Sequence, residues 1–318
     1  MKTSAYGSAM AGTLIVRQAR LALPDRVVIG DLAVEDGIIS EIAPRVTGTA
    51  DVELDGTGLA LLPGLVDTDV RLDACEDLAT LSARAVLSGV TTVLGSRTAQ
   101  TRTELKSELT QAVGTASAHY GLFIRATLDN LDELLAAERA RAVLVPGEVL
   151  ESEGAEALFK QSDKLLVVDH VLPERIANRR ALYPEVNDPA EHPKIEDVDS
   201  AVAATRRALQ LAKLHGGRTH LQHVSCAEEI ALLTQASIAA VTAAVRLPYL
   251  TFDDAPYERL GTRAVTSPPI RGRRHRDALW QALSEATLAV VSSGHCPVKA
   301  PSKDRAYPTT HPGMPTLG

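Results

Sequence analysis

The chain has 318 residues, 45% hydrophobic and 23% charged, a composition typical of globular proteins that excludes a disordered chain. Its 33 lysine and arginine residues against 40 aspartate and glutamate residues give a formal net charge of −7, which argues against nucleic acid as a partner and against a membrane surface. The longest uncharged hydrophobic run, residues 230–245, is shorter than the ~18 residues that a membrane span requires.

The first 62 residues predict a small antiparallel β-sheet. Short segments rich in valine and isoleucine predict strands at residues 14–17, 27–34, 38–42 and 51–54, separated by turns that contain glycine, aspartate or proline. We assign residues 1–62 to this first domain.

Residues 63–318 predict alternating strands and helices. Apolar strands are expected at residues 64–72, 90–94, 121–126, 142–145, 165–169, 219–224, 239–245 and 288–291. Helices are expected at residues 77–87, 103–116, 131–138, 153–161, 197–214, 227–234 and 276–286. Eight strands that alternate with helices predict an α/β protein with a (β/α)8 TIM barrel, whose functional groups lie at the carboxyl ends of the strands.

The segment after the eighth strand does not predict the eighth barrel helix. Residues 293–318 contain five prolines and no helical periodicity. Two explanations remain open. Either the sequence is part of a longer chain, or the barrel is open between its first and last strands and exposes apolar surface there.

Charged residues alternate along the first barrel strand. Asp67, Asp69, Arg71 and Asp73 are two residues apart, so a regular strand directs all four to one face. Such charges are costly inside a barrel unless they are paired or lie at its mouth. They predict either an acidic site for a metal or substrate, or a charge network in which Arg71 bridges the carboxylates.

Six short motifs follow one another along the predicted barrel. They are LLPGLVDTDVRLD at 61–73, GVTTV at 89–93, THLQHVS at 219–225, SPPIR at 267–271, VSSGHCP at 291–297 and GMP at 313–315. In content and order they resemble the motifs of the cyclic amidohydrolases, the dihydroorotases in particular. The resemblance implies an amidohydrolase barrel beside a small β-sandwich built from both chain ends, with the second sandwich half and the last barrel helix missing here.

The resemblance also implies a divalent metal centre, typically zinc, but most matching positions do not suit it. Asp69 and Arg71 match the two histidines of the first strand, and a guanidinium group cannot ligate a cation. Asp73 matches the arginine that holds the substrate carboxylate. Asp169 matches the ligand of the fifth strand, and Gly294 matches the aspartate that acts as general base.

The remaining family positions give a similar picture. His223 on the sixth strand is the one ligand retained, whereas residues 141–147 lack the bridging lysine and residues 89–103 lack the substrate-binding asparagine. Loss of the general base and of metal-activated water removes two large contributions to catalysis together.

The sequence therefore predicts an inactive, dihydroorotase-like protein with no catalytic residue and no cofactor. The resemblance implies a structural or regulatory subunit that associates with aspartate carbamoyltransferase in pyrimidine biosynthesis and forms a homo-oligomer. The alternative is a metal-dependent cyclic amidohydrolase with an altered zinc site, whose ligands would be Asp69, Asp169, His223 and His295.

Three smaller features complete the sequence predictions. His220 and His223 are three residues apart, so a regular strand would direct them to opposite faces. Cys226 and Cys296 follow strand ends and predict packed thiols or, alternatively, a His/Cys zinc site. The basic run at residues 271–276 is a solvated loop or a docking site for an acidic partner. Dispersed cysteines and the lack of a secretory signal predict a cytoplasmic protein.

Overall fold

The structure is a computed structural model that describes residues 12–71, 76–96 and 99–317, with the backbone alone at Ser96. Asp73, one of the candidate site residues, lies outside these ranges. The chain divides into two compact units, one up to Leu65 and one from Val66 onward. No helix in the described ranges has the length and apolar character needed to cross a membrane.

The first unit is a five-stranded sheet. Its strands are β1 (Thr13–Ala22), β2 (Val27–Glu35), β3 (Ile38–Ala43), β4 (Val52–Asp55) and β5 (Ala60–Leu61). The order is β3-β2-β1-β4, with β5 also beside β1. Arg17 on β1 pairs with Asp31 on β2 and Glu53 on β4, each at 3.0 Å, and so links three strands.

The sheet is mixed, whereas the sequence predicts an antiparallel sheet. β1 pairs antiparallel with β2 but parallel with β4 and β5. The difference arises after β3, because the chain passes to the far side of β1 and returns in the direction of that strand. Local periodicity predicts each strand but carries no information on this connection.

The second unit is a (β/α)8 barrel, which confirms the predicted fold class. Its parallel strands are β6 (Leu65–Arg71), β7 (Val90–Ser96), β8 (His119–Arg125), β9 (Ala142–Pro146), β10 (Leu166–Asp169), β11 (Thr219–Leu221), β12 (Val241–Arg246) and β13 (Val290–Ser292). They form one sheet in sequential order. Val70 and His295 form a bridge between the two edges of that sheet, and the Arg71 N–H donates to the His295 carbonyl at 2.8 Å.

All seven predicted helices occur in the barrel unit, together with shorter or unpredicted ones. They are α1 (Leu78–Leu87), α2 (Arg102–Ala112), α3 (Leu131–Leu135), α4 (Gly147–Leu150), α5 (Gly154–Gln161), α6 (Pro173–Leu182), α7 (His192–Ile195), α8 (Val198–His215), α9 (Ala227–Ala236), α10 (Leu247–Thr251), α11 (Pro256–Leu260), α12 (Arg273–Ser284) and α13 (Ala300–Lys303). Short 3-10 turns lie at Pro189–Glu191 and Gly261–Ala264. Within the described residues that follow β13, the four-residue α13 is the one helix, in a segment where the sequence predicts no helix.

Alternate strand residues belong to two different apolar clusters. On β9, Val143 and Val145 pack in the large cluster that also contains the helix residues. Ala142 and Leu144 belong to a small separate cluster with Phe123 and Val167 from neighbouring strands. Because side chains alternate across a strand, this second cluster is the interior of the barrel. It forms an apolar base beneath the polar residues at the carboxyl ends of the strands.

Candidate functional site at the barrel mouth

Asp69 on β6 forms a buried ion pair with Arg246, the last residue of β12. The Arg246 Nε donates to Asp69 Oδ2 at 2.5 Å, and Gln222 donates to Asp69 Oδ1 at 2.9 Å. The Arg246 Nη1 also donates to the Ser267 carbonyl at 2.8 Å. Burial would lower the pKa of Arg246, but the negative charge of Asp69 raises it above the ordinary value. A full positive charge therefore lies at the barrel centre.

Gly294 supplies the space that the Arg246 side chain occupies. Its φ is +63°, and a Cβ atom at this position would lie 2.5 Å from Arg246 Cδ and 2.7 Å from Cγ. These separations are far shorter than the 3.5–4.0 Å at which carbon atoms pack. The observed position of Arg246 therefore requires a glycine where the resemblance implies the general-base aspartate.

Asp169, at the end of β10, joins His223 and Arg71. The His223 Nε2 lies 3.0 Å from Asp169 Oδ1, and the Arg71 Nη2 lies 3.6 Å from Asp169 Oδ2. Burial would raise the pKa of Asp169, but the hydrogen bond from His223 and the nearby arginine charges hold it well below its usual range. Burial lowers the pKa of His223 to about 4, and the charge of Arg246 adds to this effect. At neutral pH an anionic Asp169 thus accepts a hydrogen bond from a neutral His223.

His170 and Glu229 form a second buried pair beside the first. The His170 Nε2 lies 2.8 Å from Glu229 Oε1, and the rings of His170 and His223 are 4.7 Å apart. The backbone amides of Ser225 and Cys226 donate to Glu229 Oε2 at 2.9 and 3.1 Å. Burial would raise the pKa of Glu229, but His170 and these hydrogen bonds hold it well below its ordinary value. Glu229 is therefore ionised at neutral pH.

His295 makes its contacts away from the other candidate ligands. Its Nε2 lies 2.9 Å from Glu76 Oε2, and its Nδ1 accepts hydrogen bonds from the backbone amides of Thr316 and Leu317 at 3.0 and 3.1 Å. Glu76 also pairs with Arg84 at 3.1 Å. Both ring nitrogens of His295 are thus engaged by protein groups.

A cavity of about 50 Å³ opens at the barrel mouth. Arg71 and Arg246 contribute its charged lining, and Met314 contributes apolar surface. Ser267 also lines the cavity and donates a hydrogen bond of 2.8 Å to Glu196 Oε2. Burial raises the pKa of Glu196 to about 7, so this carboxyl group is about half protonated at neutral pH.

The residues at the mouth do not fit the divalent metal ion that the resemblance implies. Asp69 and Asp169 are paired with guanidinium groups, and His295 contacts Glu76. The structure therefore does not bring Asp69, Asp169, His223 and His295 together as one ligand set. Of these four residues, His223 alone keeps a buried nitrogen, Nδ1, without a hydrogen-bond partner among the described residues.

The first-strand charges pair with residues of other strands: Asp69 contacts Arg246 and Arg71 contacts Asp169, whereas the network expected from the sequence has Arg71 bridging the first-strand carboxylates. Asp67 and Asp69 are buried, and Arg71 is partly exposed. Arg71 is the bridging cation predicted from the sequence, and Arg246, which pairs with Asp69 across 177 positions of sequence, is missing from that prediction. A signal existed, because Arg246 directly follows the predicted seventh strand and charged residues at that position face the barrel mouth.

The smaller sequence predictions meet different outcomes. β11 ends at Leu221, so the alternation of a regular strand, on which the prediction for His220 and His223 depends, does not extend to His223. The His220 Nδ1 lies 2.8 Å from the Thr242 hydroxyl. Among the described residues, neither Cys226 nor Cys296 forms a disulfide bond. In the basic run, Arg271 is buried, and three further arginines each contact a carboxylate, namely Arg273, Arg274 and Arg276. These ion pairs favour a role of the run within the fold.

Comparison with known proteins places this geometry in context. The chain is 28% identical over 302 residues to an allantoinase of Rubrobacter xylanophilus, covering 85% of this chain and 65% of the relative. It is 24% identical to a D-hydantoinase of Geobacillus stearothermophilus, covering 89% and 67%. The chain thus spans about two thirds of the length of these relatives. No protein-family model matches it.

Solved structures share the fold. An L-hydantoinase from Arthrobacter aurescens aligns with a TM-score of 0.87 at 22% identity, covering 96% of this chain and 74% of the other. A dihydropyrimidinase from Brevibacillus agri aligns with a TM-score of 0.86 at 21% identity, with the same coverage.

The homologues are cyclic amidohydrolases of the amidohydrolase superfamily, and the barrel is of amidohydrolase type. Their names are allantoinase and D-hydantoinase, so the narrower resemblance to an inactive dihydroorotase is not confirmed.

Proposed function

We propose that this chain is a non-hydrolytic relative of the hydantoinases and allantoinases, with a structural or regulatory role. One observation carries the proposal: the Arg246 guanidinium is paired with Asp69 at the barrel centre, in space that Gly294 leaves open. Asp69, which is held by Arg246, lies where the resemblance implies a metal-ligating histidine, and Gly294 lies where it implies the general-base aspartate. Both requirements for hydrolysis of a ring amide are therefore lost.

The magnitudes support this function over a weakened metal enzyme. Two like unit charges at about 4 Å repel by ~4 kcal/mol at an effective dielectric constant of about 20, and a divalent ion doubles that figure. An ion at the barrel centre would meet Arg246 and Arg71 and would have to displace them from Asp69 and Asp169. Separating a buried ion pair adds a cost of several kcal/mol for the partner left unpaired.

The test measures hydrolytic activity and locates any bound metal ion directly. Hydantoin, dihydrouracil, allantoin and dihydroorotate are incubated with the full chain in the presence of zinc, manganese or cobalt, and crystals soaked in zinc are examined by anomalous scattering. We expect no turnover above buffer and no anomalous peak within bonding distance of Asp69, Asp169 or His223.

A second candidate is a cyclic amidohydrolase with an unusual site. It is favoured by the names of the relatives and by His223, whose buried Nδ1 has no partner among the described residues. Turnover that disappears in His223→Ala, together with an anomalous peak beside that residue, would establish this candidate and reject the non-hydrolytic one.

Association with aspartate carbamoyltransferase remains a prediction, because the relatives' names do not bear on it. Co-expression followed by size-exclusion chromatography tests it directly. A stable joint peak would assign the structural role to that partner. Separate elution would remove that partner while leaving the absence of hydrolysis untouched.

A further inference from the structure

A cluster of possible metal ligands lies outside the barrel centre, where the amino termini of α9 and α12 meet. Cys226 is the N-cap residue of α9, Glu228 is in its first turn, and His275 is in the first turn of α12. One possible ligand atom from each of the three lies within 4.8 Å of the other two. The Ala227 N–H also donates to His275 Nδ1 at 3.2 Å, which links the two helices.

The Glu228 carboxylate supplies a second, independent indication. Its Oε1 contacts the guanidinium group of Arg274. Its Oε2 is buried and has no hydrogen-bond partner among the described residues, although it lies 3.5 Å from His275 Nδ1. A buried carboxylate oxygen without a donor is costly, and a cation between Oε2 and Nδ1 removes that cost.

The donor types and their spacing suit zinc. Zinc binds cysteine sulfur at about 2.3 Å and histidine nitrogen or carboxylate oxygen at about 2.0–2.2 Å. In a tetrahedral site these bond lengths place nitrogen and oxygen ligands roughly 3.3–3.5 Å apart. The observed 3.5 Å between His275 Nδ1 and Glu228 Oε2 matches that spacing. Because the three ligand atoms lie within 4.8 Å of one another, the Cys226 sulfur must approach the ion to complete a third contact.

We propose that Cys226, Glu228 and His275 form a binding site for a divalent transition-metal ion of zinc type, separate from the barrel centre. On binding, the Cys226 thiol releases its proton through the water that reaches the ion, and the charge of the ion must overcome the burial and the Glu229 charge that raise the pKa of this thiol. The thiolate and the Glu228 carboxylate then balance the two positive charges. The side chains of His275 and Glu228 are 14% and 37% exposed, so water can reach the ion as the fourth ligand.

Some neighbouring charges favour binding of the ion and others oppose it. The Cys226 Sγ already donates to Glu229 Oε2 at 3.3 Å, and this carboxylate adds negative charge next to the ion. Arg274 opposes the ion but remains bound to the other oxygen of Glu228. The Ala227 amide loses His275 as acceptor, a loss that solvent can replace because it lies at the start of a helix.

Cobalt binding to the full chain tests the site, because a Co²⁺–thiolate bond produces a charge-transfer absorption band. We expect one equivalent of Co²⁺ to produce the band and one equivalent of Zn²⁺ to remove it. Cys226→Ser should abolish the band, and His275→Ala or Glu228→Gln should weaken binding at least tenfold. Cys296→Ser and the exposed His119→Gln are the matched controls and should retain full binding.

Several results would overturn the proposal. They are absence of the band in the unsubstituted chain, its persistence in Cys226→Ser, and its loss in Cys296→Ser or His119→Gln. Because Cys226 is fully buried, circular dichroism must show that its variant is folded. The partly exposed Glu228→Gln provides the decisive comparison if that variant is not folded, and unchanged affinity there would reject the site. The outcome is independent of hydrolysis, so this proposal and the proposed function can fail separately.

Discussion

At the scale of single residues, Arg246 and Gly294 together define the charge and the space at the barrel mouth. Arg246 places a fixed positive charge beside Asp69, and Gly294 removes the side chain that would collide with it. Neither residue suffices alone, because the arginine needs the space and the glycine has no charge to contribute. The arrangement therefore depends on both residues, and the energetic coupling between Arg246 and Gly294 is measurable by a double-mutant cycle.

Gly294→Ala should destabilise the chain more than a glycine substitution at an open position. Both Gly294 and Gly216 have positive φ, +63° and +72°, so alanine costs roughly 1 kcal/mol of backbone strain at either site. Only at 294 does the new Cβ meet Arg246, which adds roughly 1–3 kcal/mol of overpacking. Urea unfolding of Gly294→Ala and of the control Gly216→Ala measures the difference.

The Arg246→Ala background provides the second arm of this experiment. Removal of the arginine side chain beyond Cβ should reduce the excess cost of Gly294→Ala over Gly216→Ala to near zero. An excess of the same size in that background would mean that the collision with Arg246 is not its cause.

At the scale of helices and strands, the sequence predicts what has its own periodicity. All eight barrel strands and seven of the helices occur where alternation or helical spacing places them, because their buried faces repeat regularly. α6 was missed because Pro173–Leu182 contains no buried residue and therefore shows no apolar stripe. The pairing of Asp69 with Arg246 was missed for a different reason, since contacts between distant strands leave no local pattern.

α9 shows how one buried carboxylate fixes an element. Glu229 is the third residue of the helix and completes a capping box with Cys226, and it also accepts a hydrogen bond of 2.8 Å from Thr205 on α8. Helix α2 carries the same motif in an exposed setting, with Glu104 as its third residue and Thr101 as cap. The two glutamates thus make the same local contacts in very different surroundings.

Glu229→Gln should cost about 2–4 kcal/mol of unfolding free energy, because it removes a buried charge whose partners remain. The matched substitution Glu104→Gln should have a much smaller effect, because solvent replaces the lost contacts at that exposed cap. Chemical denaturation of both variants measures this difference. Equal losses would show that the carboxylate acts only through helix capping.

At the scale of the whole molecule, buried titratable groups make stability depend on pH. Burial lowers the pKa values of His192, His220 and His223 to about 4. Below pH 6.5 the unfolded chain binds protons at these positions that the folded chain does not. Stability from these histidines is therefore present above pH 6.5 and is lost as the pH falls towards 4, by about 1.4 kcal/mol per pH unit for each group.

Glu196 contributes in the opposite direction, and this makes the prediction specific. Its pKa rises from 4.5 to about 7 on folding, so its contribution is present below pH 4.5 and is lost as the pH rises through 7. Glu196→Gln should therefore make the acid-side loss of stability between pH 6.5 and 4.5 steeper. Thermal unfolding across this range measures the slope, with the exposed His119→Gln as control. A slope unchanged by Glu196→Gln would contradict the inferred titration.

The bridge between Val70 and His295 has a mechanical consequence. Among the described residues, β6 and the segment after β13 are joined by this bridge, by the hydrogen bond from Arg71 to the His295 carbonyl and by the hydrogen bond from the Ser293 N–H to Asp67 Oδ1. Neighbouring strands from β7 to β13 are instead joined by ladders of at least three residue pairs. Opening of the barrel at this seam would therefore break less backbone pairing than separation of any two neighbouring strands between β7 and β13.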